Sequence, residues 1–351
     1  MSTTFPDNWY KHSFHAMGSD MAIWLETHDV GTAAVAFSKV ERLFEANEQA
    51  LSRFRPDSEL SVLNGHSGQW VRVSRLLWDL MTLALQMAKL TGGYYDPTIL
   101  NALKRYGYTV SFDQLTQADS SNPAPLMPLP LDTWTAIELN EADQAVLLPA
   151  GMSVDLGGIA KGYSAQQAVG ILRDIGPCLV DAGGDLAAGP APRFFPGWPI
   201  AVSSPWATET GAPADMFVLW IADETAATSG IDYRNWQHNG RRVHHLIDPA
   251  TGAPAATDGQ TATILADEAV VAEAWATSAL VAGSERGMEA LLDAGLAGLM
   301  VTQSGNVLVT PSMHERLQGQ ANHQAHASAA LAFRHSLRTS ALSGTTIRDL
   351  T

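Results

Sequence analysis

The chain has a single cysteine, Cys178, so no disulfide can form within it. This residue lies in the apolar run Pro177-Cys178-Leu179-Val180. Such a setting predicts a small buried hydrophobic residue rather than a reactive nucleophile. The fold must therefore depend on packing and hydrogen bonding, without covalent cross-links.

Positive charge is scarce. The sequence has 21 Lys and Arg against 36 Asp and Glu, which gives a formal net charge of −15. A surface of this sign repels phosphate backbones and anionic lipid, which argues against nucleic acid and membrane surfaces as partners. It is compatible with a site in which a divalent cation helps to accept a phosphorylated ligand.

Long apolar runs are also missing. No uncharged apolar run reaches the roughly 18 residues of a membrane-crossing helix, so no transmembrane segment is expected. The N-terminal stretch MSTTFPDNWYKHSFHAMGSD lacks the basic start and apolar core of a signal peptide. We therefore expect a cytoplasmic protein, an expectation that leaves export of a longer precursor open.

The remaining composition is that of an ordinary globular protein, with 46% hydrophobic and 16% charged residues in a chain of 351. Strand and helix patterns interleave without a regular βαβ cadence, which favours an α+β fold with a mixed sheet. The clearest helices are predicted at 74–90, capped by Ser74, and at about 160–175. Segment 111–130 is rich in Pro, Ser, Asp and Gln and predicts a surface insertion.

Two glycine pairs stand at predicted strand ends. In Asp155-Leu-Gly-Gly-Ile-Ala-Lys161 a helix begins just after the glycines, and helix N-terminal N–H groups favour phosphate. Ala182-Gly-Gly-Asp185 resembles a ligand-facing loop. Each pair is also compatible with a plain turn that packs a helix or strand, so neither indicates function alone.

Three further segments contain residues suited to chemistry. Glu273 and Thr277 share a helix face and offer hard oxygens of the kind that Mg²⁺ prefers, although a solvated helix face supplies such pairs by chance. His244 and His245 should point to opposite faces of a strand, so that only one of them could serve a site. Gly93-Tyr-Tyr-Asp96 could hold a flat ring or simply form a packed loop.

Taken in order, these segments resemble the ApbE family of FAD:protein FMN transferases, from about Phe14 to Thr310. The segments that carry the resemblance are His15-Ala-Met-Gly-Ser19, Ser52-Arg-Phe54 with Ser58, Glu59 and Asn64, Gly93-Tyr-Tyr-Asp-Pro-Thr98, Asp155-Leu-Gly-Gly-Ile-Ala-Lys-Gly-Tyr163, Ala182-Gly-Gly-Asp185, Ala227-Thr-Ser-Gly230, His245-Leu-Ile-Asp-Pro249 with Thr251-Gly252, and Glu273 with Thr277.

The resemblance implies an α+β, T-fold-like core with FAD in a cleft. The family domain should cover residues 1–312, followed by a tail at 313–351 that is mobile or weakly helical. It implies Mg²⁺ held by the backbone carbonyl of Ala160 and the side chains of Glu273 and Thr277, with His245 and Glu273 as the catalytic pair. The residues that it implies for FAD binding are Met17, Phe54, Tyr94, Tyr95, Asp96, Asp155, Lys161 and Ile247.

The sequence departs from the family pattern at two site positions. Glu273 stands where the family usually has Asp, which moves the carboxylate by about one C–C bond at a metal that demands near-octahedral order. Phe54 stands where the family usually has Tyr, so a hydroxyl is lost while the ring remains.

The implied reaction moves FMN from FAD onto a threonine or serine hydroxyl of a partner flavoprotein and releases AMP. The acceptor should carry a short Ser/Thr-Gly-Ala-Ser/Thr sequence and belong to a redox system. Two alternatives remain on the sequence: an FAD pyrophosphatase that gives FMN and AMP, and a non-catalytic FAD carrier with a disabled metal site.

Overall fold

The structure is a computed structural model that describes residues 8–115, 133–207, 213–321 and 348–349. Short 3₁₀ turns lie at Pro97–Ile99, Phe112–Gln114 and Thr133–Ala136. The α-helices in the described residues are α1 (Val30–Leu51), α2 (Glu59–Gly65), α3 (Arg75–Leu90), α4 (Leu100–Arg105), α5 (Ala160–Leu172), α6 (Ala269–Ala282), α7 (Ser284–Asp293) and α8 (Pro311–Ala321).

Strands make up most of the remaining regular structure. They are β1 (Trp9–Ala16), β2 (Ser19–Glu26), β3 (Trp70–Arg72), β4 (Glu138–Asn140), β5 (Ala145–Leu147), β6 (Cys178–Ala182), β7 (Asp185–Ala188), β8 (Trp198–Ala207), β9 (Pro213–Ile221), β10 (Thr225–Gly230), β11 (Asn235–His238), β12 (Arg241–His244), β13 (Ile247–Asp248), β14 (Ala253–Pro254), β15 (Gly259–Ala266), β16 (Ala297–Thr302), β17 (Val307–Val309) and β18 (Arg348–Asp349).

One large sheet organises the molecule. Its nine strands follow the order β17-β16-β15-β10-β7-β6-β2-β1-β18. Neighbours pair antiparallel, except that β1 and β18 pair parallel. This sheet, with helices that return to it at irregular intervals, confirms the predicted α+β class.

Strand β2 shows how the sheet separates two layers. Met21, Ile23 and Leu25 pack with helices α1 and α5. The alternate residue Trp24 packs on the opposite face, because successive side chains of a strand point to opposite sides. The sheet is therefore buried on both faces, by helices on one and by other strands on the second.

The second face is covered by a ribbon of β8 and β9, which pair antiparallel with each other. Trp198, Ile200 and Val202 of β8 are buried against the large sheet, in a cluster that includes Trp24 and Leu179. Neither strand of this ribbon has another strand partner among the described residues. The ribbon thus covers part of the sheet and leaves one long edge of β8 free.

Helix α3 confirms the helix predicted at 74–90. Ser74 is its N-cap, and the Ser74 hydroxyl accepts a hydrogen bond from the N–H of Leu77. Its apolar face packs in a separate cluster with α2 and the small sheet β3-β5-β4. The predicted helix at 160–175 is also confirmed, although it ends earlier, at Leu172.

Part of the predicted tail has regular structure. Helix α8 includes Met313, which is fully buried in the cluster under the β8–β9 ribbon. Residues 322–347 and 350–351 lie outside the described residues, as do residues 116–130 of the predicted insertion. The domain limits at 1–312 and 313–351 stay predictions. Among the described residues, no helix combines the length and apolarity that a membrane crossing requires.

Candidate active site

A cavity of about 1360 Å³ lies at one end of the large sheet. There the β1–β2 turn, the β6–β7 turn and the end of β10 come together, because antiparallel pairing places all three at the same end. All of the site residues predicted from the sequence line this cavity: Met17, Phe54, Tyr94, Tyr95, Asp96, Asp155, Ala160, Lys161, His245, Ile247, Glu273 and Thr277.

Lys161 is the centre of a buried ion cluster. Its Nζ lies 2.6 Å from Oδ2 of Asp185 and 3.0 Å from Oε1 of Glu273. Burial by itself lowers the pKa of Lys161, but the carboxylates of Asp185 and Glu273 more than offset this and raise it. The lysine is therefore charged, and it holds together side chains from α5, α6 and β7.

Glu273 receives a second contact from α5, the helix that carries Lys161. The backbone N–H of Gly162 donates to its Oε2 at 2.9 Å. A Cβ on residue 162 would lie 2.8 Å from that oxygen, so only glycine permits this approach. Burial and then the nearby charge of Asp185 raise the pKa of Glu273 to about 8, against the lowering influence of Lys161. Two carboxyl groups thus share one lysine, and a cation bound beside them would lower the pKa of Glu273 again.

The donor chemistry around Glu273 fits a hard cation. Thr277 lies one turn further along α6, and its Oγ1 is 3.1 Å from Oγ of Ser229. The carbonyl of Ala160, in the first turn of α5, accepts from Oγ of Ser164 at 2.7 Å. No three His, Cys, Asp or Glu side chains gather as a metal site in the described part of the chain. A cation here would depend on mixed oxygen ligands, as suits Mg²⁺, which keeps several waters and binds substrate phosphates.

Arg53 and Asp155 form a second ion pair at the cavity, with Nε 3.0 Å from Oδ2. The guanidinium lies 4.0 Å from the ring centroid of Phe54 and 4.4 Å from that of Tyr108. Its Nη1 donates to the Tyr108 carbonyl at 2.9 Å. Its Nη2 is buried and has no hydrogen-bond partner among the described residues. Phe54, 39% exposed, thus presents a ring that is backed by a fixed cation.

The loop after α3 places Tyr94, Tyr95 and Asp96 on another wall. The carboxylate of Asp96 accepts from the N–H and hydroxyl of Thr98, both at 2.7 Å, and so fixes the turn before Pro97. The hydroxyl of Tyr95 is buried without a hydrogen-bond partner in the described residues. Burial raises the pKa of Tyr95 well above its ordinary value, so the phenol stays protonated and can donate.

Of the two adjacent histidines, His245 lines the cavity, whereas Nε2 of His244 is 3.2 Å from the carbonyl of Ala255. Nδ1 of His245 lies 3.3 Å from the carbonyl of Arg234. A carbonyl only accepts, so Nδ1 carries the proton and Nε2 is the basic nitrogen. Burial, and then the charge of Arg234, lower the pKa of His245 to about 3. The imidazole is therefore neutral at physiological pH.

Arg53, Asp185 and Arg234 were not among the predicted site residues, yet they supply much of the charge of the cavity. Arg53 and Asp185 lie inside two segments that carry the family resemblance, Ser52-Arg-Phe54 and Ala182-Gly-Gly-Asp185. Their place in these segments could have identified them as site residues. Arg234 lay in no such segment. It reaches the cavity through the tertiary fold, where its Nη2 donates to Oγ of Ser19 at 3.0 Å.

The fold and cavity define an α+β protein with a wide ligand site that combines a buried lysine–carboxylate cluster, aromatic walls and a neutral histidine. The sequence profile of the ApbE family matches residues 17–300. The chain belongs to the ApbE family.

Relatives and solved structures agree with this assignment. A protein of Treponema pallidum named FAD:protein FMN transferase is 29% identical, over 81% of each chain. A protein of Escherichia coli strain K12 with the same name is 29% identical over 80% of this chain and 81% of its own. The crystal structure of the ApbE protein from Thermotoga maritima superposes with a TM-score of 0.78 at 24% identity, covering 88% of this chain and 99% of that one. The flavin transferase ApbE from Vibrio cholerae gives 0.71 at 24% identity, with the same coverage.

Proposed function

We propose that this protein transfers the FMN half of FAD to a threonine or serine hydroxyl of a partner flavoprotein, with release of AMP and dependence on Mg²⁺. The observation that carries the proposal is the gathering of every predicted site residue around one cavity in a chain of this family. The names of the relatives, FAD:protein FMN transferase, support the reaction type and the two substrates.

The walls of the cavity suit the two kinds of surface that FAD offers. The rings of Phe54, Tyr94 and Tyr95 give flat apolar surfaces for the isoalloxazine. The start of α5, which follows Gly157 and Gly158, gives the positive end of a helix dipole for the pyrophosphate. Lys161 adds a fixed positive charge at the same point.

The residues that would hold Mg²⁺ are Glu273, Thr277 and the carbonyl of Ala160, with Asp185 close by. When bound, the cation would offset negative charge on the pyrophosphate. Lys161 keeps the carboxylates of Asp185 and Glu273 from separating, and the N–H of Gly162 orients Glu273. Positioning and electrostatics therefore supply most of the catalysis.

In the proposed transfer, the acceptor hydroxyl oxygen forms a bond to the FMN-side phosphorus. The bond between that phosphorus and the bridging oxygen breaks, and AMP leaves with the bridging oxygen. Nε2 of His245 takes the hydroxyl proton. The low pKa of His245, about 3, favours the unprotonated imidazole. An anionic pyrophosphate beside it would raise that pKa and strengthen the base.

The test is mass spectrometry of a synthetic peptide that carries Ser-Gly-Ala-Thr, incubated with the protein, FAD and Mg²⁺. The expected result is a mass gain that corresponds to FMN and disappears when the cation is chelated. Free FMN and AMP without labelled peptide would instead favour the pyrophosphatase. Bound FAD with neither product would favour the carrier.

A further inference from the structure

One edge of β8 has no strand partner among the described residues, and it borders the same cavity. Six consecutive residues of β8, from Pro199 to Ser204, line it. Side chains of a strand alternate between its two faces, and those of Ile200 and Val202 are buried against the large sheet. A continuous run of lining residues therefore means that the backbone edge of β8, rather than one set of its side chains, borders the cavity.

The register of the ribbon identifies which backbone groups point outward. Pro199 lies opposite Trp220 and has no N–H to donate to β9. We therefore assign Pro199 to a non-hydrogen-bonded pair, in which the backbone groups point away from β9. Hydrogen-bonded and non-bonded pairs alternate along an antiparallel ladder. Ala201 is two residues after Pro199 and lies opposite Val218. Its N–H and carbonyl therefore also point away from β9, toward the edge of β8 that borders the cavity.

The surroundings of this edge suit a peptide. The cavity beside β8 has an apolar floor from the large sheet, formed by Trp24, Leu179 and Leu186. No strand of the described residues pairs with β8 on this side. An unpaired edge normally invites pairing with another chain. Here the edge borders the cavity, so a segment paired with it would lie alongside the site.

We infer that the acceptor protein docks as an extended strand on the free edge of β8 and so carries its hydroxyl residue toward the Lys161 cluster. The inference rests on the proposed function, since it concerns how that reaction receives its polypeptide substrate. Main-chain hydrogen bonds to an edge strand give affinity with little dependence on sequence. The floor of the cleft then selects apolar side chains on alternate residues of the acceptor.

The experiment uses a synthetic peptide that carries Ser-Gly-Ala-Thr and a series of its copies, each N-methylated at one backbone amide. Methylation removes one donor and adds bulk. If the peptide pairs with β8, KM for the peptide rises about tenfold or more at every second position, with little change between them. A uniform or irregular dependence on the methylated position overturns the inference while FMN transfer itself remains observable. Absence of transfer to the unmethylated peptide instead contradicts the proposed function.

Variants of β8 give a second, independent readout. Ala201→Pro removes the outward N–H, and Ala201→Val retains it while changing the side chain. We expect a rise in peptide KM of about tenfold for proline, and a much smaller change for valine, with unchanged quenching of FAD fluorescence. Equal KM for both variants overturns the inference. Slow hydrogen exchange at Ala201 before peptide is added also overturns it, because another segment of this chain would then occupy the edge.

Discussion

The carboxylate of Glu273 lies 3.0 Å from the ammonium of Lys161. Glu273 belongs to α6, which is more than a hundred residues further along the chain than Lys161. The contact joins the start of α5 to the middle of α6 and places both beside Asp185. One lysine is thus shared by two buried carboxyl groups. This pair of oxygen donors is the feature on which the proposed Mg²⁺ site rests.

Removing the charge of Glu273 should weaken the response to Mg²⁺. For Glu273→Gln we expect transfer to fall by about 100-fold, and the Mg²⁺ concentration for half-maximal activity to rise by about tenfold or more. The measurement is a Mg²⁺ titration of FMN transfer. Glu268→Gln, at the exposed start of the same helix, is the matched control and should leave the titration unchanged. An unaltered Mg²⁺ response in Glu273→Gln would exclude this residue as a ligand.

Helix α5 offers a matched pair of glycines. Gly162→Ala would place a Cβ 2.8 Å from Oε2 of Glu273, so we expect a loss of about 1–3 kcal/mol in the free energy of unfolding, together with loss of activity. At Gly170 an added Cβ meets no atom within 4 Å. Gly170→Ala should therefore raise stability by about 0.5–1 kcal/mol, because alanine favours helix. Chemical denaturation of both variants measures the difference, and similar effects would contradict the packing argument.

Arg53 should be important for FAD affinity through its shape as well as its charge. Arg53→Lys keeps the charge but loses the planar group between Phe54 and Tyr108 and the spare Nη2 donor. We expect FAD to bind about tenfold more weakly, as measured by fluorescence quenching. Arg72→Lys, at an exposed ion pair with Asp143, provides the control and should bind FAD as the parent does. Equal affinity in Arg53→Lys would mean that the guanidinium does not contact the ligand.

His245 should make stability fall in acid. The unfolded chain binds a proton on this histidine near its ordinary pKa of 6.5, whereas the folded protein does so only near 3. Between these values the unfolded state holds more protons, so the free energy of unfolding decreases as pH falls. The side chain is only partly buried by surface area, so we expect up to about 1 kcal/mol per pH unit, below the full 1.4.

Denaturation from pH 7 to pH 4 tests this slope in the parent and in His245→Asn. The variant should lose the part of the slope that the histidine contributes. His66→Asn, at an exposed position, serves as the control and should retain it. A slope that is the same in all three proteins would show that His245 takes up protons in the folded state as readily as in the unfolded chain.

The sequence predicted best those elements whose caps and packing residues all lie within one short segment. Helix α3 has its serine cap, its apolar stripe and its glycine stop within one short segment, so its limits were read almost to the residue. Cys178 was predicted to be buried from its apolar neighbours, and the structure agrees. Helix α8 was harder to predict, because its burial depends on contacts that Met313 makes with the distant β8–β9 ribbon.

The sequence alone determined the family, the α+β class and part of the lining of the cavity, because each motif is a short run of residues that can be read without the fold. Only the tertiary structure decided how these runs meet. It brought Lys161, Asp185 and Glu273 together, added Arg234 from an unmarked loop, and placed residues of β8 along the same cavity. Those contacts join residues far apart in the chain, and their distances depend on sheet register and helix packing, which no local pattern encodes.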